Sequence, residues 1–152
     1  MVHVITSAAN PLIKRMKSLH TKKGRSETGL FLAEGARLAL EAAELNFWPE
    51  TLLYAPAALA RPQMRSLLEQ TAARGVRTVE TSESILAQVS KRDNPQTVIG
   101  AYRQLITPLE NVDGDMIVAL EGVRDPGNFG TIMRTADALF PAGVVLGGET
   151  CD

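Results

Sequence analysis

The sequence is poor in cysteine and histidine, with one cysteine and two histidines among 152 residues. A single cysteine, Cys151, excludes an internal disulfide, and no Cys/His cluster has the spacing of metal ligands. The longest apolar stretch, residues 139–148, is about half as long as a membrane-spanning helix and contains Pro141. No apolar run typical of a secretory leader follows the N-terminus. We therefore expect a cytoplasmic protein with no metal site and no membrane partner.

Two glycine patterns that bind nucleotides are also missing. Neither G-x-G-x-x-G nor G-x-x-x-x-G-K occurs. The sequence therefore argues against a nucleotide-binding enzyme that holds phosphates in a loop of either kind. Aromatic residues make up only 5% of the chain, which argues against base stacking as the main mode of recognition. The 45% apolar and 22% charged residues match an ordinary globular protein, so we expect a folded core.

Charge is distributed unevenly, although the formal net charge is only -1. Residues 1–25 contain no acidic residue and six basic ones. These are Lys14, Arg15, Lys17, Lys22, Lys23 and Arg25. A basic arm on a mildly acidic body is expected where one edge of a protein meets a polyanion. The alternative is a solvated basic helix without a partner.

The first 110 residues predict an α/β domain. Asn10 and Pro11 indicate the start of a short amphipathic helix that continues to Leu19, and a basic loop is expected over residues 20–25. Strands are predicted over residues 30–33, 51–54, 76–79 and 98–102, and further helices over 35–45, 63–73 and 83–89. Hydrophobic periodicity stops over residues 107–115, which predict a linker with a domain boundary near residue 110.

The remaining residues predict one β-α-β unit. An apolar strand over 116–120 leads through a loop, 121–127, to a helix over 128–139 and a second strand over 143–147. Such a unit has open sheet edges and cannot cover both faces of its sheet. We therefore expect residues 116–152 to begin a larger domain, and to be poorly ordered or paired with another chain when alone.

The turn and helix over residues 120–137 carry the most informative pattern. A strand end, a glycine-rich turn and a helix N-terminus place free backbone N–H groups where an anion or polar ligand can bind. At about 100° per residue, Arg134 lies opposite an apolar stripe. The stripe consists of Phe129, Ile132, Met133, Ala136 and Leu139. Arg134 could bind a ligand, or could be a solvated arginine paired with Asp137, and Asn128 could be a helix cap.

The run from Asp125 to Asp137, DPGNFGTIMRTAD, resembles the first signature motif of the SpoU family of RNA ribose 2'-O-methyltransferases, in the SPOUT superfamily. Shorter segments resemble the substrate-binding domain of that family. They are residues 5–7, 10–14, 31–35 and 94–96, together with Arg25. The resemblance spans nearly the whole chain. Its motif loop comprises Glu121, Asp125, Pro126, Gly127 and Gly130.

The resemblance implies an α/β fold in two parts. Residues 1–110 would form an RNA substrate-binding domain of the ribosomal-protein-like kind. Residues 111–152 would form the first β-α-β of a trefoil-knot methyltransferase domain, incomplete and without the knot. In the family this second domain binds S-adenosylmethionine and forms a homodimer. Two later family signatures, which build most of the cofactor pocket, do not occur in this sequence, so we expect this chain to be inactive alone.

The implied activity is S-adenosylmethionine-dependent 2'-O-methylation of ribose in structured RNA. We expect ribosomal RNA, because this N-terminal domain is typical of the rRNA-directed branch. The active-site asparagine and arginine of the family motif correspond to Asn128 and Arg134. Because a guanidinium is a poor base, we expect Arg134 to hold the substrate phosphate and stabilise the developing alkoxide. The basic arm would neutralise RNA phosphates, assisted by Arg37, Lys91 and Arg92.

Two other functions remain open from the sequence. A stand-alone RNA-binding module would bind structured RNA without methylating it, and would not bind S-adenosylmethionine. A small-molecule α/β enzyme with a ligand at the turn over residues 122–130 would leave the basic arm unexplained.

Overall fold

The computed structural model describes residues 3–92, 94–112, 116–139 and 143–151. The chain divides into two compact units, Met1–Gln104 and Leu105–Asp152. We call them unit 1 and unit 2. The division falls shortly before the boundary expected near residue 110.

Unit 1 is built around a five-stranded mixed sheet. Its strands are β1 (His3–Ile5), β2 (Leu30–Glu34), β3 (Thr51–Tyr54), β4 (Arg77–Thr81) and β5 (Val98–Arg103). The order across the sheet is β1-β4-β3-β5-β2. β3 runs parallel to β4, and β4 parallel to β1, whereas β5 is antiparallel to both of its neighbours. β2 is therefore an edge strand.

Five α-helices cover the two faces of this sheet. They are α1 (Pro11–Ser18), α2 (Lys22–Thr28), α3 (Ala36–Glu44), α4 (Pro62–Ala73) and α5 (Glu83–Ser90). Because side chains alternate along a strand, Leu53 enters the core under α1 and α5, while Leu52 and Tyr54 enter the core under α3 and α4. The sheet thus lies between two helical layers, and the expected α/β class is confirmed.

The predicted helices and strands of unit 1 occur within two residues of their expected ends, with two exceptions. The predicted basic loop over residues 20–25 is wrong, because α2 begins at Lys22. Thr21 caps this helix by accepting the Gly24 N–H at 3.0 Å, and Gly29 ends it with a φ of 64°. Strand β1 has no counterpart in the prediction, since three residues are too few for a periodic signal.

Unit 2 contains β6 (Ile117–Glu121), α6 (Pro126–Ala138) and β7 (Gly143–Gly147). β6 and β7 pair in parallel, which confirms the predicted β-α-β unit. The predicted helix start at residue 128 is wrong by two residues. Pro126 and Gly127 belong to the first turn of α6, because Asp125 caps the helix and proline is well suited to its first position.

The apolar stripe predicted on α6 is only partly buried in the described part of unit 2. Ala136 is buried, whereas Leu139 is 63% exposed. One helix covers at most one face of a two-stranded sheet, so apolar surface remains uncovered. Within the described ranges of the chain, no helix has the length and apolar character required to cross a membrane.

Candidate functional site

Helices α1 and α2 carry the basic residues of the N-terminal arm. Asn10 caps α1 by accepting the Leu12 N–H at 2.9 Å, and Pro11 is the first helical residue, as the sequence predicts. A Cβ on Gly24 would overlap the backbone carbonyl of Ser18. Only glycine therefore allows α2 to approach the end of α1 this closely. The two helices are in contact, so their cations are concentrated in one region of unit 1.

Two cations of α1 contact other elements of unit 1. Arg15 Nη2 lies 3.0 Å from a carboxylate oxygen of Glu50. Lys17 Nζ donates a hydrogen bond to Gln88 Oε1 at 2.8 Å. Both contacts are exposed, and such interactions contribute little free energy, so a polyanion could replace them at low cost.

The remaining lysines of the two helices are exposed to solvent. Lys14 lies on α1, and Lys22 and Lys23 lie in the first turn of α2. Lys23 Nζ lies 3.7 Å from Glu27, a weak pair between neighbouring turns. We use the name "basic helix pair" for α1 and α2 with their five exposed or partly exposed cations. These are Lys14, Arg15, Lys17, Lys22 and Lys23.

Arg25 occupies a different environment from the other cations of the arm. It is half-buried, and its Nη1 donates to the backbone carbonyl of Leu19 at 3.2 Å. This contact ties α2 back to the end of α1. Arg25 therefore has a role in folding this segment, whatever it contributes to binding.

The other predicted cations lie on elements other than α1 and α2. Arg37 is on α3, which covers the opposite face of the sheet from α1, and its Nε lies 2.7 Å from Glu41 Oε1. The hydrogen bond and the charge of Glu41 raise the pKa of Arg37 above its ordinary value. Lys91 follows α5, and Arg92 Nε lies 3.8 Å from Glu34 Oε2. The predicted RNA-binding residues thus occupy more than one surface of unit 1.

In unit 2, the predicted motif loop is only partly a loop: Glu121 ends β6, Asp125 lies in the turn, and Pro126, Gly127 and Gly130 belong to α6. Gly122 has a φ of 68°, a left-handed conformation that favours glycine. Asp125 Oδ1 accepts the backbone N–H of Asn128 at 2.7 Å. The interpretation of Asn128 as a helix cap is therefore wrong, because Asp125 is the cap. Asn128 is the third residue of α6, and its side chain is exposed.

The guanidinium of Arg134 lies over Gly130, one turn earlier on α6. A Cβ on Gly130 would be 3.6 Å from Arg134 Nη2. Glycine therefore leaves room for the arginine to lie back toward the N-terminal half of the helix. Among the ion pairs of the described residues, none joins Arg134 to Asp137. The exposed arginine is thus placed on the same half of α6 as Asn128.

The segment after β7 lies against the end of β6, next to the turn that precedes α6. Its residues were not among the predicted site residues. Thr150 is buried, and its Oγ1 lies 3.3 Å from the Leu120 carbonyl and 2.7 Å from the Gly147 carbonyl. The Cys151 N–H donates to the Val123 carbonyl at 2.9 Å. These bonds hold the segment after β7 against the end of β6. Such long-range contacts have no signal in hydrophobic periodicity.

Charged groups also meet at this edge. Arg124 forms an exposed ion pair with Glu149. Glu121 is exposed at the end of β6, and a Cβ on Gly148 would lie 3.5 Å from its Cγ. Across the described ranges, no three His, Cys, Asp or Glu side chains are grouped to hold a metal ion.

Known proteins are similar to this chain over both unit 1 and unit 2. A family model described as the MRM3-like substrate binding domain matches residues 10–100. The 23S rRNA (guanosine(2553)-2'-O)-methyltransferase RlmP of Bacillus subtilis is 34% identical over 149 residues, which cover 97% of this chain and 56% of RlmP. An uncharacterized tRNA/rRNA methyltransferase of Synechocystis is 31% identical over 97% of this chain and 54% of its own length. The chain thus spans about half the length of the curated relatives it matches.

Solved structures agree with the sequence matches. An rRNA methyltransferase from Sinorhizobium meliloti superposes with a TM-score of 0.85 at 42% identity, over 99% of this chain and 57% of that chain. A second structure from that organism contains AdoMet. The SpoU methyltransferase AviRb from Streptomyces viridochromogenes, in complex with AdoMet, gives a TM-score of 0.73 at 25% identity, over 94% of this chain and 55% of that chain. The expected resemblance is confirmed: this chain belongs to the SpoU family of RNA 2'-O-methyltransferases and carries an MRM3-like substrate-binding domain.

Proposed function

We propose that this chain is the RNA-binding part and the first catalytic segment of an S-adenosylmethionine-dependent rRNA ribose 2'-O-methyltransferase. The observation that carries the proposal is the position of Arg134 over Gly130, on the capped helix that bears the family motif. One relative named as a 23S rRNA 2'-O-methyltransferase matches 97% of this chain, which favours this function over a stand-alone RNA-binding module.

RNA would bind mainly at the basic helix pair. Its cations are exposed or weakly paired, so they can exchange solvent or a surface carboxylate for phosphate. Phosphate contacts position an RNA without reading its sequence. Arg37, on the opposite face of the sheet from α1, would contact the RNA only where it extends beyond this pair, whereas Arg92 follows α5, which contacts α1.

The residues of unit 2 fit one part of a cofactor site. The carboxyl ends of two parallel strands are a common place for a ligand, and here they end in turns at Gly122 and Gly148. Nothing lies within 4 Å of the position of a Cβ on Gly122, so the turn leaves open space beside the backbone. Bound S-adenosylmethionine would supply the methyl group.

Arg134 and Asn128 would act on the RNA rather than as bases. A guanidinium retains its proton, so Arg134 would hold a substrate phosphate and stabilise negative charge that develops on the ribose oxygen. Asn128 has both a donor and an acceptor, and would orient a polar group of the nucleotide. Positioning and electrostatic stabilisation of this kind can lower a barrier by several kcal/mol.

Other family properties belong to the same proposal. We assign residues 1–110 to a ribosomal-protein-like RNA-binding domain and residues 111–152 to the start of a knotted, dimeric methyltransferase domain. We also propose that this chain alone is inactive and that the protein acts in the cytoplasm. Two curated relatives are almost twice as long as this chain, which supports the view that residues 111–152 are part of a larger domain.

Methyl transfer to rRNA transcripts tests the proposal. Radiolabelled S-adenosylmethionine measures transfer by the full protein that the gene encodes, in which the Arg134 variant is made, with this chain alone as the inactive comparison. We expect Arg134→Ala to lower the transfer rate at least about 100-fold, as for loss of a group that stabilises developing charge. Asp137→Asn, an exposed change on the same helix, is the control. Full activity of Arg134→Ala would exclude the assigned role.

A further inference from the structure

A groove lies between α3 and the β2 edge of the unit 1 sheet. Its volume is about 560 Å³. Three aromatic side chains, Phe31, Phe47 and Tyr102, form part of its lining, and Leu38 on α3 is half exposed beside them. Glu34 and Arg92 also line it. We call this site the aromatic groove.

The aromatic rings form one continuous cluster. The ring centroids of Phe47 and Tyr102 are 5.4 Å apart with planes 26° from parallel, and those of Phe31 and Tyr102 are 6.0 Å apart at 33°. Tyr102 is buried over Gly100, where a Cβ would overlap its ring. This cluster offers rigid apolar surface to a flat ligand.

Glu34 adds an acceptor that has no donor. Its side chain is 13% exposed, and its Oε2 is buried without a hydrogen-bond partner among the described residues. Arg92 Nε, 3.8 Å away, is too distant for a hydrogen bond, and the Arg92 side chain is 66% exposed. Oε2 itself has no accessible surface in this conformation, so a ligand N–H group would reach it only by displacing a neighbouring side chain such as the exposed Arg92, and the acceptor would then gain the donor that it lacks.

Two sequence segments that resemble the substrate-binding domain meet at this place. Glu34 is followed by Gly35, whose φ is 116°. A Cβ on Gly35 would lie 3.6 Å from Gln96 Oε1, and the Gly35 N–H donates to the Val98 carbonyl at 2.9 Å. The turn after β2 and the segment before β5 are thus packed together beside the groove.

We propose that the aromatic groove binds one unpaired guanine base of the RNA substrate. The flat base would lie against the aromatic cluster, and its adjacent N1–H and amino groups would donate to Glu34. The exposed guanidinium of Arg92 would contact the phosphate of that nucleotide. Guanine presents two N–H donors side by side to a carboxylate, a pattern that the backbone of an extended apolar protein segment lacks, which favours a base. This inference rests on the proposed RNA-binding function.

Nucleotide titrations of the chain test the ligand directly. Guanosine, inosine and uridine 5'-monophosphates carry the same phosphate, so differences among them report on the base. We expect backbone NMR shifts near Phe31, Glu34 and Tyr102, with guanosine monophosphate binding at least fivefold more tightly than uridine monophosphate. Inosine monophosphate, which lacks the amino group, should fall between them. Equal affinities, or shifts confined to other surfaces, would overturn the proposal.

A substitution tests the acceptor. Glu34→Gln keeps the side-chain size but removes the charge, so we expect the guanosine preference to fall to within about twofold of uridine. Glu44→Gln, at an exposed position of α3 outside the groove, should leave the preference unchanged. If Glu34→Gln does not fold, the order of affinity of the three nucleotides for the unsubstituted chain still tests the guanine proposal.

The same measurements separate this inference from the RNA-binding proposal. Salt-dependent binding of rRNA fragments without a guanosine preference would refute the aromatic groove alone. A guanosine preference without binding of rRNA fragments would refute the proposed RNA function instead. Shifts near the groove that depend on protein concentration without nucleotide would identify a second copy of the chain as the occupant, and would overturn the guanine proposal.

Discussion

The carboxylate of Asp125 accepts the backbone N–H of Asn128 at 2.7 Å, and this hydrogen bond determines where α6 begins. Gly127, between them, is a poor helix former, so the first turn depends on the cap and on Pro126. One capping residue therefore sets the helical position of Asn128 and, through the helix, that of Arg134.

Loss of this cap should loosen the first turn of α6. Asp125→Ala is expected to destabilise the helix by about 1 kcal/mol, because the Asn128 N–H loses its acceptor. Asp125→Asn keeps an acceptor oxygen and should retain most of the stability. Hydrogen exchange at the Asn128 amide compares the two. Equal protection in both variants would show that the cap has no such role.

The close approach of α2 to α1 predicts a large effect at one glycine and a smaller one at another. Gly24→Ala introduces a Cβ that overlaps the Ser18 carbonyl, and should destabilise unit 1 by about 1–3 kcal/mol. Gly29→Ala meets no atom within 4 Å, but its φ of 64° costs roughly 1 kcal/mol for alanine. Urea unfolding measures both. A smaller loss at Gly24 than at Gly29 would contradict the close approach.

The basic helix pair predicts a salt-dependent affinity for RNA. Replacing Lys14, Lys22 and Lys23 together with glutamine should weaken binding and reduce the slope of log affinity against log salt by about 2–3, if each lysine neutralises one phosphate. Arg25 is left in place because it also bonds the Leu19 carbonyl. Filter binding over a range of salt concentrations gives the slope.

A charge-matched variant controls for net charge. Arg61, Arg65 and Arg77 are exposed and lie outside the basic helix pair. Their replacement with glutamine removes the same three charges and should change the slope less. If the lysine triple variant and the arginine triple variant lower the slope of log affinity against log salt equally, RNA has no preferred site on unit 1, and the basic helix pair is not the RNA-binding surface.

The stability of unit 1 should decline at high pH through Tyr102. Burial raises the pKa of Tyr102 to about 12. In the unfolded chain the phenol has a pKa of about 10, so above that pH the unfolded state loses a proton that the folded state keeps. This contribution to stability is complete below about pH 10, and up to about 3 kcal/mol is lost as the pH rises to about 12.

Tyr102→Phe removes this contribution and should make the free energy of unfolding fall less steeply over the same pH range. A smaller decline should remain, because burial, with the neighbouring Glu80, also raises the pKa of Tyr54. Denaturant unfolding of both proteins at about pH 8 and about pH 11 provides the comparison. Parallel declines would show that Tyr102 does not control the pH dependence.

Local sequence was enough to predict most elements and the motif. Asn10 with Pro11 and Ser82 before Glu83 mark helix starts through capping groups near in sequence, and a short apolar run between Pro49 and Pro56 marks β3. The motif from Asp125 to Asp137 identified the family because its residues are contiguous. These signals depend on neighbours along the chain, so no tertiary contact is needed to detect them.

Only the tertiary structure decided which of these residues meet. Helix α2 has seven residues and contains Gly24, so its own propensity is weak, and contact with the end of α1 stabilises it. The aromatic groove likewise joins β2, α3 and residues near β5, and Glu34 loses its donors only when the chain folds around it. Sequence patterns report local conformation and polarity, whereas burial and partner choice depend on segments that are distant in the chain.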